Sequence, residues 1–175
     1  MSPVAQIDAL RSGRIDFGMM HMNTTVDSNF SVERVFEEPI DLLLPPEHYL
    51  AKQRQVLLED IVDTPFIMMA RRWCPPFYDQ FLQIWHRSRS EPNIVQETES
   101  FAVSLALVAS GMGVTIGTAA LRSSFTAAVQ ARPLADLDMR MGADLVWSNA
   151  KGSRAMNNFI DALRYVKKNG LSSVS

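Results

Sequence analysis

A helix that stops at a glycine and gives way at once to a β-branched strand is the feature that most limits what this chain can fold into. Residues 99–117 read ESFAVSLALVASGMGVTIG. Phe101, Leu105, Val108 and, on their flank, Ala109 recur at helical spacing. Gly111 fits the left-handed residue just past a helix end. Val114, Thr115 and Ile116 are β-branched and read as a short buried strand. A glycine-rich phosphate cradle needs the opposite order, strand before glycines before helix. It also needs two residues, not three, between its last glycines. The turn here receives the carbonyl end of a helix, which is poor for an anion. The run is a helix, a cap and a strand.

The same alternation runs along the chain. Ser2 and Pro3 signal a helix start, with Ile7 and Leu10 as its apolar face and Gly13 as its stop. IDFGMM reads as a buried strand, and residues 22–32 as a polar loop. VERVFEEPIDLLLPP mixes alternation with an apolar run that two prolines end. LLEDIVDTP is expected to form a short helix and PFIMMA a strand. Pro75 and Pro76 open a helix with Phe77, Phe81, Ile84 and Trp85 on one side. NIVQET, VQARPL and MGADLVWSN read as strands, and AALRSS as a short helix. Residues 153–167 are expected to form the last helix, with Met156, Phe159, Ile160, Leu163 and Val166 inward. Lys167 and Lys168 suit its C-terminal dipole and Gly170 its cap. This is the α/β pattern with mainly parallel sheets.

The totals narrow the function. The 175 residues suffice for one domain or two small lobes, and 47% are apolar. Basic and acidic residues number 17 and 19, which argues against a stand-alone nucleic-acid binder. One cysteine excludes an internal disulfide and a thiolate zinc cluster, and suits a reducing cytoplasm. No apolar run approaches a membrane span, and the first residues lack a signal-peptide pattern.

Catalytic chemistry finds little support. His21, His48 and His86 lack metal-ligand spacing, so no metal is expected. Cys74, in RRWCPPF, follows two arginines and precedes a helix start, and both would lower a thiol pKa. It has no second cysteine and no identifiable histidine partner; the plainer reading is a small residue in a tight turn. Ser100 and Ser104 lack the G-x-S-x-G context. Asp60, Asp63, Glu37 and Glu38 read as solvated or capping charges. What remains is a set of helix starts at Ser2-Pro3, Trp73-Cys74-Pro75-Pro76 and Glu99-Ser100-Phe101. Free N–H groups there favour a small anion, unless each is simply an ordinary cap.

Five blocks carry a resemblance: LRSGRIDFGM, EEPIDLLLPPEHYLA, LEDIVDTPFIMMAR, EPNIVQETESFAVSLALVASGMGVTI and ARPLADLDMRMGADLVW. In this order they resemble the effector-binding domain of LysR-type transcriptional regulators. PPFYDQF and QETESF lean toward the branch sensing aromatic carboxylates, muconate and acetoin-type metabolites. The resemblance implies an α/β fold of two Rossmann-like, periplasmic-binding-protein-like lobes with the effector between them. The second lobe would be residues 38–138. The first, incomplete lobe would be residues 1–37 and 139–170, with a disordered tail at 171–175.

The family's cleft residues carry over as Ser2, Pro3, His21, Arg71, Pro75, Pro76, Phe77, Ser100, Phe101 and Thr118, the last at the rim. The resemblance implies a bacterial, cytoplasmic, non-enzymatic sensor of a small effector, an aromatic or dicarboxylic acid, without cofactor. The family's winged helix-turn-helix, its linker helix and the first lobe's opening strand, helix and strand have no counterpart in the sequence. DNA would be reached only through that absent part, and the incomplete lobe is expected to self-associate. Two alternatives stand beside this reading: a stand-alone small-molecule-binding protein of the same fold, and an enzyme or redox sensor built on Cys74.

Overall fold

A computed structural model of the chain describes residues 3–21, 26–73, 75–87, 91–119, 128–150 and 152–169. They fall into two compact units, Met1–Glu37 with Gly142–Ser175, and Glu38–Met141.

The first unit contains α1 (Pro3–Arg11), β1 (Gly18–His21), most of β2 (Phe30–Pro39) and of β8 (Arg140–Ser148), and α4 (Arg154–Asn169). Its sheet has the order β1-β8-β2, with β1 antiparallel to β8 and Gly18 opposite Val146. Leu10, Met20, Phe30 and Val146 form its buried cluster, with Ile7, Ile15 and Val26 packed against it. The loop expected at residues 22–32 ends earlier than that, because Phe30 is buried in this cluster and starts β2. IDFGMM is buried on one face only: Met20 is buried, while Met19 is 52% exposed. That is the pattern of a strand covered on one side.

Helix α4 covers a narrower stripe than its sequence offers. Met156 and Ile160, one turn apart, are buried, whereas Phe159 and Val166 are 49% and 37% exposed. The last two lie at the margins of the apolar arc, beyond the surface that receives the helix. Its charged side is tied to β2: Glu33 accepts from Arg164 and Lys167. Beside it Arg34 pairs with buried Asp144 and with Glu37. The glycine cap expected at Gly170 lies outside the described residues.

The second unit runs β3 (Asp41–Leu44), two 3-10 turns (Tyr49–Lys52 and Leu58–Ile61), β4 (Phe66–Met69), α2 (Pro75–Arg87), β5 (Ile94–Thr98), α3 (Phe101–Ala109), β6 (Thr115–Gly117) and β7 (Gln130–Pro133). Strands β4 and β5 are parallel, and a parallel bridge joins Phe66 to Val114 at the foot of β6. Strand β3 lies between β6 and β7, antiparallel to both. So β4, β5, β6 and β7 point one way and β3 the other. The expectation of mainly parallel sheets is corrected to mixed sheets. Strands β4 and β5 are joined through α2, the crossover a parallel pair needs, whereas β3 pairs with β6 and β7 from far along the chain, and both run against it.

The two helices pack on opposite faces of this sheet, and the alternation of side chains shows it. Leu42, Leu44, Phe66 and Met68 share a cluster with Phe81 and Trp85 of α2. Leu43 and Ile67, the residues between them, share another with Leu105 and Val108 of α3. Phe66 and Phe81 stack at 5.3 Å between centroids, and Trp85 meets both edge-on at 5.8 and 5.2 Å. Helix α3 ends as its sequence requires. Gly111 has φ 80, its N–H reaches the Val108 carbonyl, and the Met112 N–H reaches that of Leu107. The short helix expected at AALRSS falls almost entirely outside the described residues.

Candidate functional site

The chain leaves β4 toward one face of the sheet and β5 toward the other. Loops that diverge in this way at the carboxyl ends of parallel strands open a crevice where α/β folds bind ligands. Arg71, Arg72 and Trp73 follow β4, Glu99 and Ser100 follow β5, and Thr118 follows β6. The Ala70 N–H donates to the Thr98 carbonyl at 2.8 Å, fastening the two strand ends. Within this unit the structure therefore gathers Arg71, Pro75, Pro76, Phe77, Ser100, Phe101 and Thr118 along one edge of the sheet. Pro3 opens α1 and His21 closes β1 in the other unit. Ser2 and Cys74 lie outside the described residues.

The helix starts are not equivalent. Pro75 and Pro76 are the first residues of α2 and carry no N–H. The start of α2 therefore presents fewer free donors than expected of it. Pro3 removes the first donor of α1 in the same way. Helix α3 keeps its set. Ser100 is its N-cap, with Oγ accepting from the Val103 N–H at 3.4 Å. The N–H groups of Phe101 and Ala102 have no hydrogen-bond partner among the described residues, as helix starts require. Among the described residues this end combines a hydroxyl cap with two open donors and the positive pole of the helix.

A buried hydroxyl pair braces it. Thr98 and Ser104 are 4% and 1% exposed, with Oγ1 and Oγ 2.6 Å apart. Ser104 also donates through its N–H to the Ser100 carbonyl. Sequence reasoning passed over this pair; its signal was a hydroxyl on the last strand residue and another one turn into the helix. It also passed over the ring of Trp73, 48% exposed in the turn after β4.

Several expected contacts are otherwise engaged. Arg71 holds Asp79 through two hydrogen bonds of 2.7 and 2.8 Å, and its guanidinium keeps the Asp79 carboxyl below the ordinary range. Arg72 pairs with Glu99, linking the turn after β4 to the residue before Ser100. Phe77, carried over as a cleft residue, is half-buried against the cluster of Phe81 and Trp85. Thr118, expected at the rim, is 1% exposed.

Among the described residues no group of three or more His, Cys, Asp or Glu side chains could hold a metal ion. His48 caps the first 3-10 turn, accepting from the Leu50 N–H. Burial pushes its pKa down. His86 stands 4.0 Å from Glu91. Asp60 accepts from the Leu57 N–H at 2.9 Å, a cap as expected. Glu38 is only partly solvated: its Oε2 is buried without a hydrogen-bond partner among the described residues. No helix among those residues is long and apolar enough to cross a membrane.

The family model described as the LysR substrate binding domain matches residues 1–167. The regulator AlsR of Bacillus subtilis (strain 168) is 28% identical over 139 residues, 79% of this chain and 46% of its own length. The HTH-type regulator YnfL of Escherichia coli (strain K12) is 28% identical over 169 residues, 94% of this chain and 57% of its own. The chain thus spans about half the length of the curated relatives it matches. Among solved structures, the effector binding domain of BenM with its effector benzoate has a TM-score of 0.81 at 23% identity, over 99% of this chain and 79% of that one. HinK, a LysR family transcriptional regulator from Pseudomonas aeruginosa, has a TM-score of 0.79 at 23% identity, over 93% and 57%. These likenesses give the fold, the α/β architecture of LysR effector-binding domains. The chain belongs to the LysR substrate-binding domain family.

Proposed function

We propose that this chain senses a small carboxylate-bearing metabolite on behalf of a bacterial, cytoplasmic transcriptional regulator and performs no chemistry on it. The observation that carries the reading is the start of α3. It lies at the carboxyl edge of the parallel strands, capped by Ser100, with the Phe101 and Ala102 N–H groups open and Thr98 and Ser104 fixing it from beneath. Open N–H groups at a helix start suit a carboxylate. The relatives are named as transcriptional regulators, which supports a sensor rather than an enzyme. BenM's domain is described with benzoate as its effector, so an aromatic carboxylate is the first probe here.

In this reading the lobes are residues 38–138 and residues 1–37 with 139–170. Ser2, Pro3 and His21 of the latter are further candidate contacts. DNA recognition falls to the part of such a regulator that these residues do not span, in keeping with 17 basic against 19 acidic residues.

The test is calorimetric titration of the chain with benzoate and with succinate, on wild type and Ser100→Ala. One of the acids is expected to bind. The substitution is expected to weaken it about fivefold, since one neutral hydrogen bond is worth on the order of 1 kcal/mol. Binding of neither acid, or affinity unchanged in Ser100→Ala, would overturn the assignment.

A further inference from the structure

The second unit holds a groove of about 510 Å³, within the usual size of small-molecule sites. One wall is a single stripe of α2: Gln80, Gln83, Ile84 and Arg87, spaced i, i+3, i+4 and i+7 so that they share a face. This stripe lies well round the helix from Phe81 and Trp85, which are buried against the sheet. The facing wall is Leu58, Asp136 and Asp138.

The charges on these walls are opposite and unjoined. Arg87 and Asp138 line the same groove, yet neither makes an ion pair or hydrogen bond among the described residues. The carboxamides of Gln80 and Gln83 are likewise without partners there. Asp136 is oriented by the Leu58 N–H, which donates to its two oxygens at 3.0 and 3.2 Å. A carboxylate has about four acceptor positions, so others stay open. Leu58 is buried beneath its wall, and partly buried Ile84 gives the groove its apolar surface.

From this arrangement we infer that the groove is a second binding site, for a zwitterion of the amino-acid or short-peptide class. Its ammonium meets Asp138 and Asp136, its carboxylate meets Arg87, and an apolar side chain covers Ile84. A phosphate-bearing ligand fits badly, because one cation faces two carboxylates. None of these residues belongs to the α3 start, so the inference does not rest on the effector reading.

The test is an NMR titration of the whole chain with L-leucine, with glycyl-L-leucine as the peptide arm. N-acetyl-L-leucine, without the ammonium, and L-leucinamide, without the carboxylate, complete the set. Saturable shifts are expected in the side-chain amides of Gln80 and Gln83 and in the backbone around Asp138. Either blocked analogue is expected to bind about tenfold more weakly or worse, as are Asp138→Asn and Arg87→Gln with leucine. Ser100→Ala should leave leucine binding unchanged. The inference is overturned by no saturable shift up to about 50 mM ligand, by shifts centred on α3 instead, or by blocked analogues that bind like leucine.

Discussion

Gly111 and Gly113 stand on either side of Met112 and are glycine for different reasons. Gly111 has φ 80 and open space where a Cβ would stand, so only its left-handed backbone penalises a side chain. At Gly113 a Cβ would collide with the carbonyl oxygen of Pro65 and lie 2.9 Å from its carbon. Gly111→Ala is therefore expected to cost about 1 kcal/mol, and Gly113→Ala about 3 kcal/mol, since backbone must move. Urea unfolding of the two variants checks the order; equal costs would contradict it. The first role is legible in the sequence, because a helix period ends at Gly111. The second is not, because Pro65 is brought there only by the bridge between β4 and the start of β6. The two prolines opening α2 teach the converse: their missing donors are visible in the sequence, and only counting N–H groups at each helix start reveals that α3 differs. Asp41 shows what burial does to a carboxylate. Burial first, and then the Glu38 carboxylate, raise its pKa, so its ionised form is the costly one in the folded chain. Its contribution to stability is full below the ordinary carboxylate value and is lost as pH rises through the raised folded value. Asp41→Asn is expected to raise the thermal midpoint at pH 7 and flatten this part of the stability profile. An unchanged profile on acidification would show that Asp41 carries none of it.

At the scale of elements, most boundaries were legible because periodicity is bracketed by glycines and prolines: α1 by Pro3 and Gly13, α3 by Ser100 and Gly111, β3 by Pro45. Strand direction was not, since β3 takes its antiparallel place from its neighbours and not from its own residues. Nor was the width of the face that α4 buries, which depends on the surface beneath it. The join of β2 to α4 was equally hidden, because Glu33 finds Lys167 and Arg164 from far along the chain. The Lys167 hydrogen bond, followed on the lowering side by that of Arg164, depresses the Glu33 pKa against the opposing effect of burial. A depressed carboxylate contributes stability above its ordinary value, and that contribution is lost as pH falls through the folded value. Lys167→Ala is expected to cost less than about 1 kcal/mol at pH 7, because the pair is partly exposed and screened. The cost should shrink in high salt and on acidification through the folded Glu33 value. A loss that persists unchanged in both conditions would mean that Lys167 acts through packing of its stem and not through charge.

At the scale of the whole molecule, the two units differ in how much core they hold. In Glu38–Met141 the sheet has buried clusters on both faces, one around Phe66, Phe81 and Trp85 and one around Leu43, Ile67 and Leu105. The cluster described for the other unit is Leu10, Met20, Phe30 and Val146. Its strand β1 has β8 as its one partner in the described sheet, and the row of backbone groups along the other edge invites pairing with a further strand. Apolar side chains stand open in the same unit: Met19 is 52% and Phe159 49% exposed, and the Phe17 and Phe159 rings lie 4.9 Å apart. Less buried area on an exposed framework means lower local stability. Amide exchange is therefore expected to be fast across α1, β1 and α4 and slow across β3, β4, β6 and α3. The 175-residue chain is also expected to self-associate through the open patch, with an average mass that rises with concentration in sedimentation and falls back in Phe159→Ser. Phe159→Ser should leave exchange in β3, β4 and α3 unchanged, because it touches only the first unit. A chain that stays monomeric at all concentrations, with equally slow exchange in both units, would show that the smaller core and open edge have no energetic consequence.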